Sequence, residues 1–254
     1  MKTRMNETWL PTPTFLYRNY LYLRIIKLLP KNSYFLDVGA GNGKFIKHLL
    51  KRGFTGESID ISKNAVLFAR QELLGKKGIQ VKQGNIFTYK SNKKYDVIFC
   101  FEVLEHIKDD TEAFKKIFAL LAPGGYFIMS VPAHMSKWST IDDVKGHYRR
   151  YEKKELLKKI KSAGFNVDDI MTYGFPFLNI VRQISKSGKF VHSETQHLNK
   201  DARGMESSIQ QEYSPKLKIF IDNKFLTLVL FKIMDLFLHT DLGFGYVTIA
   251  KKSP

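Results

Sequence analysis

Tyr34-Phe35-Leu36-Asp37-Val38-Gly39-Ala40-Gly41-Asn42-Gly43 is the stretch from which the rest of the chain can be read. An apolar run of strand type ends near an acid and breaks into glycines at 39, 41 and 43. Lys44 to Lys51 follows with Phe45, Ile46, Leu49 and Leu50 at helical spacing, so the stretch predicts a strand, a tight turn and a helix N-terminus. Glycine suits the turn because it takes positive φ at little cost and leaves room for a ligand against the backbone. A helix start at the carboxyl end of a parallel strand is a ready cradle for a ligand.

Two phosphate-binding patterns fail here. A dinucleotide G-x-G-x-x-G would need glycine at position 44, where Lys44 stands. A P-loop would need glycine in place of Val38 and Ser or Thr in place of Phe45.

Working outward, strand and helix patterns alternate. Thr14 to Leu29 has helical spacing after Pro11 and Pro13. Gly53 stops the second helix, and Thr55 to Ile61 predicts a strand carrying Asp60 near its end, followed by a helix that Ser62 can cap. Ile79–Gln83, Tyr95–Phe101 and Tyr126–Val131 read as further strands, with a helix capped by Asp110 or Thr111 between the last two. Lys153–Ala163 reads as helix, Phe165–Tyr173 as a sixth strand and Gly245–Lys251 as the last. The expected fold is α/β: a Rossmann-like, doubly wound, mostly parallel seven-stranded sheet with helices on both faces. An N-terminal helical cap (1–33) precedes the core (34–174), and a helical insert (175–244) separates the core from its final strand (245–254). Within the insert, Phe175–Ile184 reads as helix and Ser185–Ser214 as polar and mixed.

Composition bounds the function. With 41 Lys and Arg against 24 Asp and Glu, the net charge of +17 favours an anionic partner, or else reflects lysines spread along the surface. The single cysteine, Cys100, excludes an internal disulfide and sits in an apolar run as a core residue. The polar opening residues carry no signal-peptide pattern, and no run reaches the roughly 20 apolar residues that span a bilayer, so a cytoplasmic protein is expected.

Four positions fall at the carboxyl ends of consecutive strands, where open α/β sheets bind ligands. They are the glycine turn, Asp60 (able to accept from two ribose hydroxyls), Asn85 (able to accept from an adenine amino group) and the Phe101-Glu102-Val103-Leu104-Glu105-His106 turn. Leu36 to Gly43, Ile59-Asp60-Ile61-Ser62, Gly84-Asn85-Ile86, Phe99 to Ile107 and Leu121-Ala122-Pro123-Gly124-Gly125 together resemble the successive motifs of class I S-adenosylmethionine-dependent methyltransferases. The resemblance covers about Tyr34 to Val131 and the last strand. It implies that Asp37, Gly39, Ala40, Gly41 and Gly43 line the methionine and ribose site, that Asp60 and Ile61 hold the ribose, and that Asn85 and Ile86 hold the adenine. Phe101 or Glu102 would floor the site. Asn85 departs from the pattern, since many relatives carry Asp there, but it keeps an acceptor oxygen.

Acceptor-facing groups are expected in Pro132–Tyr151, which has no clear periodicity: Trp138, Tyr148 and Arg149 as contacts, and His147 as the one candidate base. His147 and Arg149 equally suit anchoring of the loop. Arg18, Tyr17 and Tyr22 can reach a ligand carboxylate from the first helix, or simply pack. No metal is required and no ligand cluster for one is evident. The Pro-Ala-His…Gly-His-Tyr-Arg-Arg-Tyr pattern resembles methyltransferases acting on small molecules, glycans or lipid-like compounds. RNA methylation and a non-catalytic cofactor-binding scaffold are the rivals. The first is not favoured because the Asp/Asn-Pro-Pro-aromatic run of amino-directed enzymes is absent after the fourth strand. Phe225–Leu238 reads as core or as a lid over the acceptor, with a dimer face or a membrane-surface contact also open, so a monomer and a homodimer are both compatible.

Overall fold

The computed structural model describes residues 12–180 and 223–254. Seven strands form one sheet: β1 (Tyr34–Val38), β2 (Thr55–Asp60), β3 (Ile79–Gln83), β4 (Tyr95–Phe101), β5 (Leu121–Pro132), β6 (Phe165–Tyr173) and β7 (Gly245–Lys252). The helices are α1 (Pro13–Leu28), α2 (Lys44–Leu50), α3 (Lys63–Glu72), α4 (Asp110–Leu120), α5 (Thr140–Lys145), α6 (Lys153–Ser162) and α7 (Lys224–Asp235). The strand order is β3-β2-β1-β4-β5-β7-β6. β1 pairs in parallel with β2 and β4, and β7 lies antiparallel between β5 and β6. The order reverses between β1 and β4, so a crevice opens outside their carboxyl ends.

Alternation along the strands separates two cores. Phe35, Val97, Phe99 and Ile128 share one with α1, α2 and α3, while Leu36, Val38, Ile98, Cys100, Phe127 and Met129 share the other with α4 and α6. Cys100 is fully buried, as its apolar run predicts.

Helix starts follow side-chain oxygens that accept otherwise unpaired amides. Thr12 caps α1 by accepting from Phe15 N at 3.1 Å, and Ser62 caps α3 by accepting from Ala65 N at 3.2 Å. The cap of α4 is Asp109, one residue before the expected Asp110 or Thr111. Asp110 is instead drawn to Tyr151 Oη at 2.8 Å, Lys159 Nζ at 2.7 Å and Arg149 at 2.7 Å. β5 begins at Leu121, ahead of the expected Tyr126, so Pro123-Gly124-Gly125, a helix stop by its residue types, belongs to the strand. In the segment without periodicity, Ser139 and Asp142 form a capping box that starts α5, which is too short to show a hydrophobic repeat.

The described part of the insert packs on α1. Phe231 meets the rings of Tyr17 and Tyr20 at 4.9 and 5.3 Å, and Asp235 accepts from both tyrosine hydroxyls at 3.2 and 2.9 Å while pairing with Arg24 at 2.8 Å. Among the described residues no helix is long and apolar enough to cross a membrane. The opening residues 1–11, the polar Ser185–Ser214 stretch and the end of the expected Phe175–Ile184 helix lie outside the described residues.

Candidate active site

A cavity of about 450 Å³ occupies the crevice at the strand-order reversal. Its walls come from the glycine turn, the ends of β2 and β4, the loop after β3, α1, and a patch formed by Glu105, His106, Lys145 and His147. Of the residues expected to hold a cofactor, Asp37, Gly39, Ala40, Gly41, Asp60, Ile61, Asn85, Ile86, Phe101 and Glu102 all line it.

The glycines serve different ends. A Cβ on Gly39 would lie 2.4 Å from Val103 Cγ2, and one on Gly43 would lie 3.0 Å from Ala69 Cα in α3. Gly43 therefore permits helix packing, and it is not among the residues lining the cavity, contrary to expectation. Of the three glycines in this turn, Gly41 alone would place a Cβ with no protein atom within 4 Å, and it lines the open cavity.

The acids are tied into this turn. Gly41 N donates to Asp60 Oδ2 at 3.2 Å and Ser62 N donates to Oδ1 at 2.8 Å, which fixes the carboxylate at the cavity edge. Burial nevertheless raises its pKa against those two amides. Asp37 is more deeply buried. Burial pushes its carboxyl up to about 7, helped by the charge of Asp60 and opposed by the Ser58 hydroxyl, which donates at 2.8 Å. Asn85 Oδ1 already accepts from Phe87 N at 3.0 Å, so one of its lone pairs holds its own loop and the other is left for a ligand.

The floor is built jointly by β4 and α1. Glu102 has φ +56 and pairs with Arg18, while its Oε1 accepts from Ser130 at 2.8 Å and Tyr173 at 3.0 Å. Burial opposes its charge, yet Arg18 and these hydroxyls outweigh burial and hold its pKa below the usual carboxylate range. Tyr22 stacks on Phe101 at 3.7 Å. Arg18 and Tyr22 thus line the cavity while serving its frame, whereas Tyr17 faces α7.

The remaining wall carries the proton-active groups. His147 Nδ1 lies 2.9 Å from Asp142 Oδ1, and Asp142 pairs with buried Arg150 at 2.7 Å. Burial lowers the pKa of His147 against the pull of Asp142. His106 stands edge-on to His147, ring centroids 4.8 Å apart; burial, then the charges of His147 and Lys145, push its pKa down to about 3. Glu105 is fully buried, and burial followed by the Glu102 charge raises its pKa well above the usual range. Glu105, His106 and His147 each offer a ligand atom, all within 4.8 Å of one another. That corrects the expectation of no metal-ligand cluster: Glu105-His106 and His147 lie about 40 residues apart, and only the fold joins them.

Three expected acceptor contacts are not brought to the cavity. Trp138 Nε1 donates to Asp143 at 3.2 Å, Tyr148 N donates to the Glu105 carbonyl at 2.8 Å, and Arg149 pairs with Asp110. They brace the α5 loop instead. No described residue of the 175–244 insert lines the cavity either, so the lid expected there is not seen in its described part. Glu105 and His106 were visible in sequence beside Glu102, but their convergence with His147 had no local signal.

A cradle open at Gly41, an anchored acid at Asp60 and an amide at Asn85 fit a ribosyl ligand with an adenine end. Comparison with known proteins agrees. Residues 15–170 match the family described as "Methyltransferase domain". The "Ubiquinone biosynthesis O-methyltransferase" of Rickettsia canadensis (strain McKiel) is 34% identical over 108 residues, 40% of this chain and 44% of that protein. The chain thus spans under half the length of this relative. "Malonyl-[acyl-carrier protein] O-methyltransferase 1" of Ilyobacter polytropus is 24% identical over 215 residues, 78% of this chain and 80% of that one. Among solved structures, "Phosphoethanolamine N-methyltransferase 2" of Haemonchus contortus, in complex with S-adenosyl-L-methionine, shares the fold with a TM-score of 0.62 and 16% identity, covering 96% of this chain and 54% of its own. With more than half of its length matched by the family, the chain belongs to the class I S-adenosylmethionine-dependent methyltransferases.

Proposed function

We propose that this chain transfers a methyl group from S-adenosylmethionine to an oxygen of a small-molecule or lipid-like acceptor. The observation that carries this is a single cavity with the glycine turn and Asp60 on one side and His147 on another. The relatives that are O-methyltransferases of ubiquinone biosynthesis and of malonyl-acyl carrier protein support oxygen as the accepting atom and a small or lipid-like acceptor.

The bound cofactor supplies a methyl group already activated on a sulfonium. The protein's share is placement, since displacement at carbon depends on approach and alignment. Gly39 to Gly41 and Asp37 would hold the methionine and ribose portions, Asp60 and Ile61 the ribose hydroxyls, and Asn85 and Ile86 the adenine. Phe101 and Glu102, fixed by Tyr22 and Arg18, would set the floor under the reacting centre. A hydroxyl must lose its proton as it attacks, and His147 is suited to take it: Asp142 engages Nδ1 and leaves Nε2 for the acceptor.

The test is incubation of the protein with methyl-labelled cofactor and cell extract, followed by fractionation. Label in small molecules or lipids is expected. Label confined to RNA or protein would overturn the proposed acceptor class.

A further inference from the structure

Glu105, His106 and His147 have features that simple packing does not explain. Glu105 is fully buried, and neither carboxylate oxygen has a hydrogen-bond partner. Its own backbone amide and the charges of Arg18 and Lys145 favour the charged form, and burial with the charge of Glu102 outweighs them. His106 Nδ1 is also buried and without a partner. Lys145 lines the same cavity but bonds to neither Glu105 oxygen. Buried polar atoms normally find partners, so orphaned atoms converging on one cavity mark a place for a bound group.

His147 is oriented from behind. Asp142 Oδ1 holds its Nδ1, and Asp142 is itself held by Arg150 and by the Ser139 amide at 2.8 Å. A carboxylate behind an imidazole is the arrangement that fixes a metal-binding histidine and raises its basicity. Glu102 is excluded from the set because Arg18, Ser130 and Tyr173 occupy its oxygens.

We propose that Glu105, His106 and His147 form a binding site for one divalent transition-metal ion, open on the cavity side to the acceptor. Two imidazoles and one carboxylate suit Zn²⁺, Mn²⁺ or Fe²⁺ better than Mg²⁺ or Ca²⁺, which favour all-oxygen sets. The ion site rests on this geometry; its role rests on the O-methylation proposed above. With three protein ligands, positions remain for an acceptor hydroxyl, whose acidity the ion would raise as it does for water. The hydroxyl proton leaves to solvent and an oxygen lone pair forms the bond to the methyl carbon. The electrons of the broken carbon–sulfur bond stay on sulfur and cancel its positive charge. His147 then holds the ion instead of taking the proton.

The experiment is calorimetric titration of untagged, chelator-stripped protein with Zn²⁺ and Mn²⁺, repeated on Glu105→Gln and His147→Asn. One ion per chain is expected, with affinity at least about tenfold weaker in each variant. Absence of stoichiometric binding, or equal affinity in Glu105→Gln, overturns the site. Should the variants not fold, Co²⁺ added to the wild-type chain decides: new visible absorption that Zn²⁺ abolishes supports the site, and no new absorption overturns it. The two proposals fail separately. If the ion binds and no extract fraction takes label, the site stands and O-methylation falls; if label transfers fully after stripping and no ion binds, the reverse holds.

Discussion

Gly39 and Gly41 are two residues apart and look equivalent in sequence, yet they predict different phenotypes. Gly39→Ala drives a methyl into Val103 at φ +95 and is expected to cost about 1–3 kcal/mol of stability, seen as a lower Tm. Gly41→Ala meets no protein atom, so beyond the backbone strain of an alanine at φ +48 its distinguishing effect should be on cofactor affinity, measured by calorimetry. Equal effects of the two on both quantities would refute the assignment. Asp37 gives a pH prediction. Its folded pKa of about 7 lies above the unfolded value near 3.8, so it favours the folded state at low pH and that contribution is lost as pH rises toward 7. A ligand with a cationic sulfonium and ammonium favours the ionised form, so cofactor affinity should rise between pH 6 and 8. Asp37→Asn should flatten that rise; an unchanged profile would detach Asp37 from the site. The strand-end acids were legible because a carboxylate at a strand terminus has a position fixed by the fold. Glu105 and His106 were not, since their significance depends on the distant His147.

At the scale of elements, α1 braces both the cavity and the outer helix. Inward, Arg18 and Tyr22 support Glu102 and Phe101; outward, Tyr17, Tyr20 and Arg24 converge on Asp235 at the end of α7. Asp235→Ala removes the acceptor of two tyrosine hydroxyls, one on a fully buried residue, and should cost about 1–3 kcal/mol. A thermal melt unmoved by this change would show that α7 is held by its apolar contacts alone. Here the sequence was informative about existence and silent about partners. The apolar run from Phe225 signals a helix, but no local pattern says that it packs on α1 and not over the acceptor. The same holds for Trp138, Tyr148 and Arg149, whose aromatic and basic types suit a ligand as well as they suit a braced loop.

For the whole molecule, a doubly wound, mostly parallel seven-stranded sheet was readable because alternating strand and helix patterns admit few topologies; the strand order came with the structure, and the crevice follows from its reversal between β1 and β4. Because the cavity draws on both α1 and the sheet, a ligand filling it should stabilise the protein as a unit. Saturating cofactor at about 100 times its Kd should add about 2.7 kcal/mol, read as a rise in Tm. Asp60→Ala should abolish most of that rise, measured against its own cofactor-free melt because the change also leaves Gly41 N and Ser62 N without their acceptor. A full shift in the variant would show that Asp60 does not hold the ligand.

β7 has one more consequence. It is the latest of the seven strands in chain order, yet it sits inside the sheet, and among the described strands β6 hydrogen-bonds to the rest only through it. During synthesis β6 must therefore wait some 70 residues for its neighbour, with its backbone edge open to any passing strand. Nascent chains stalled before Gly245 should thus be the species most prone to aggregate and most in need of a chaperone.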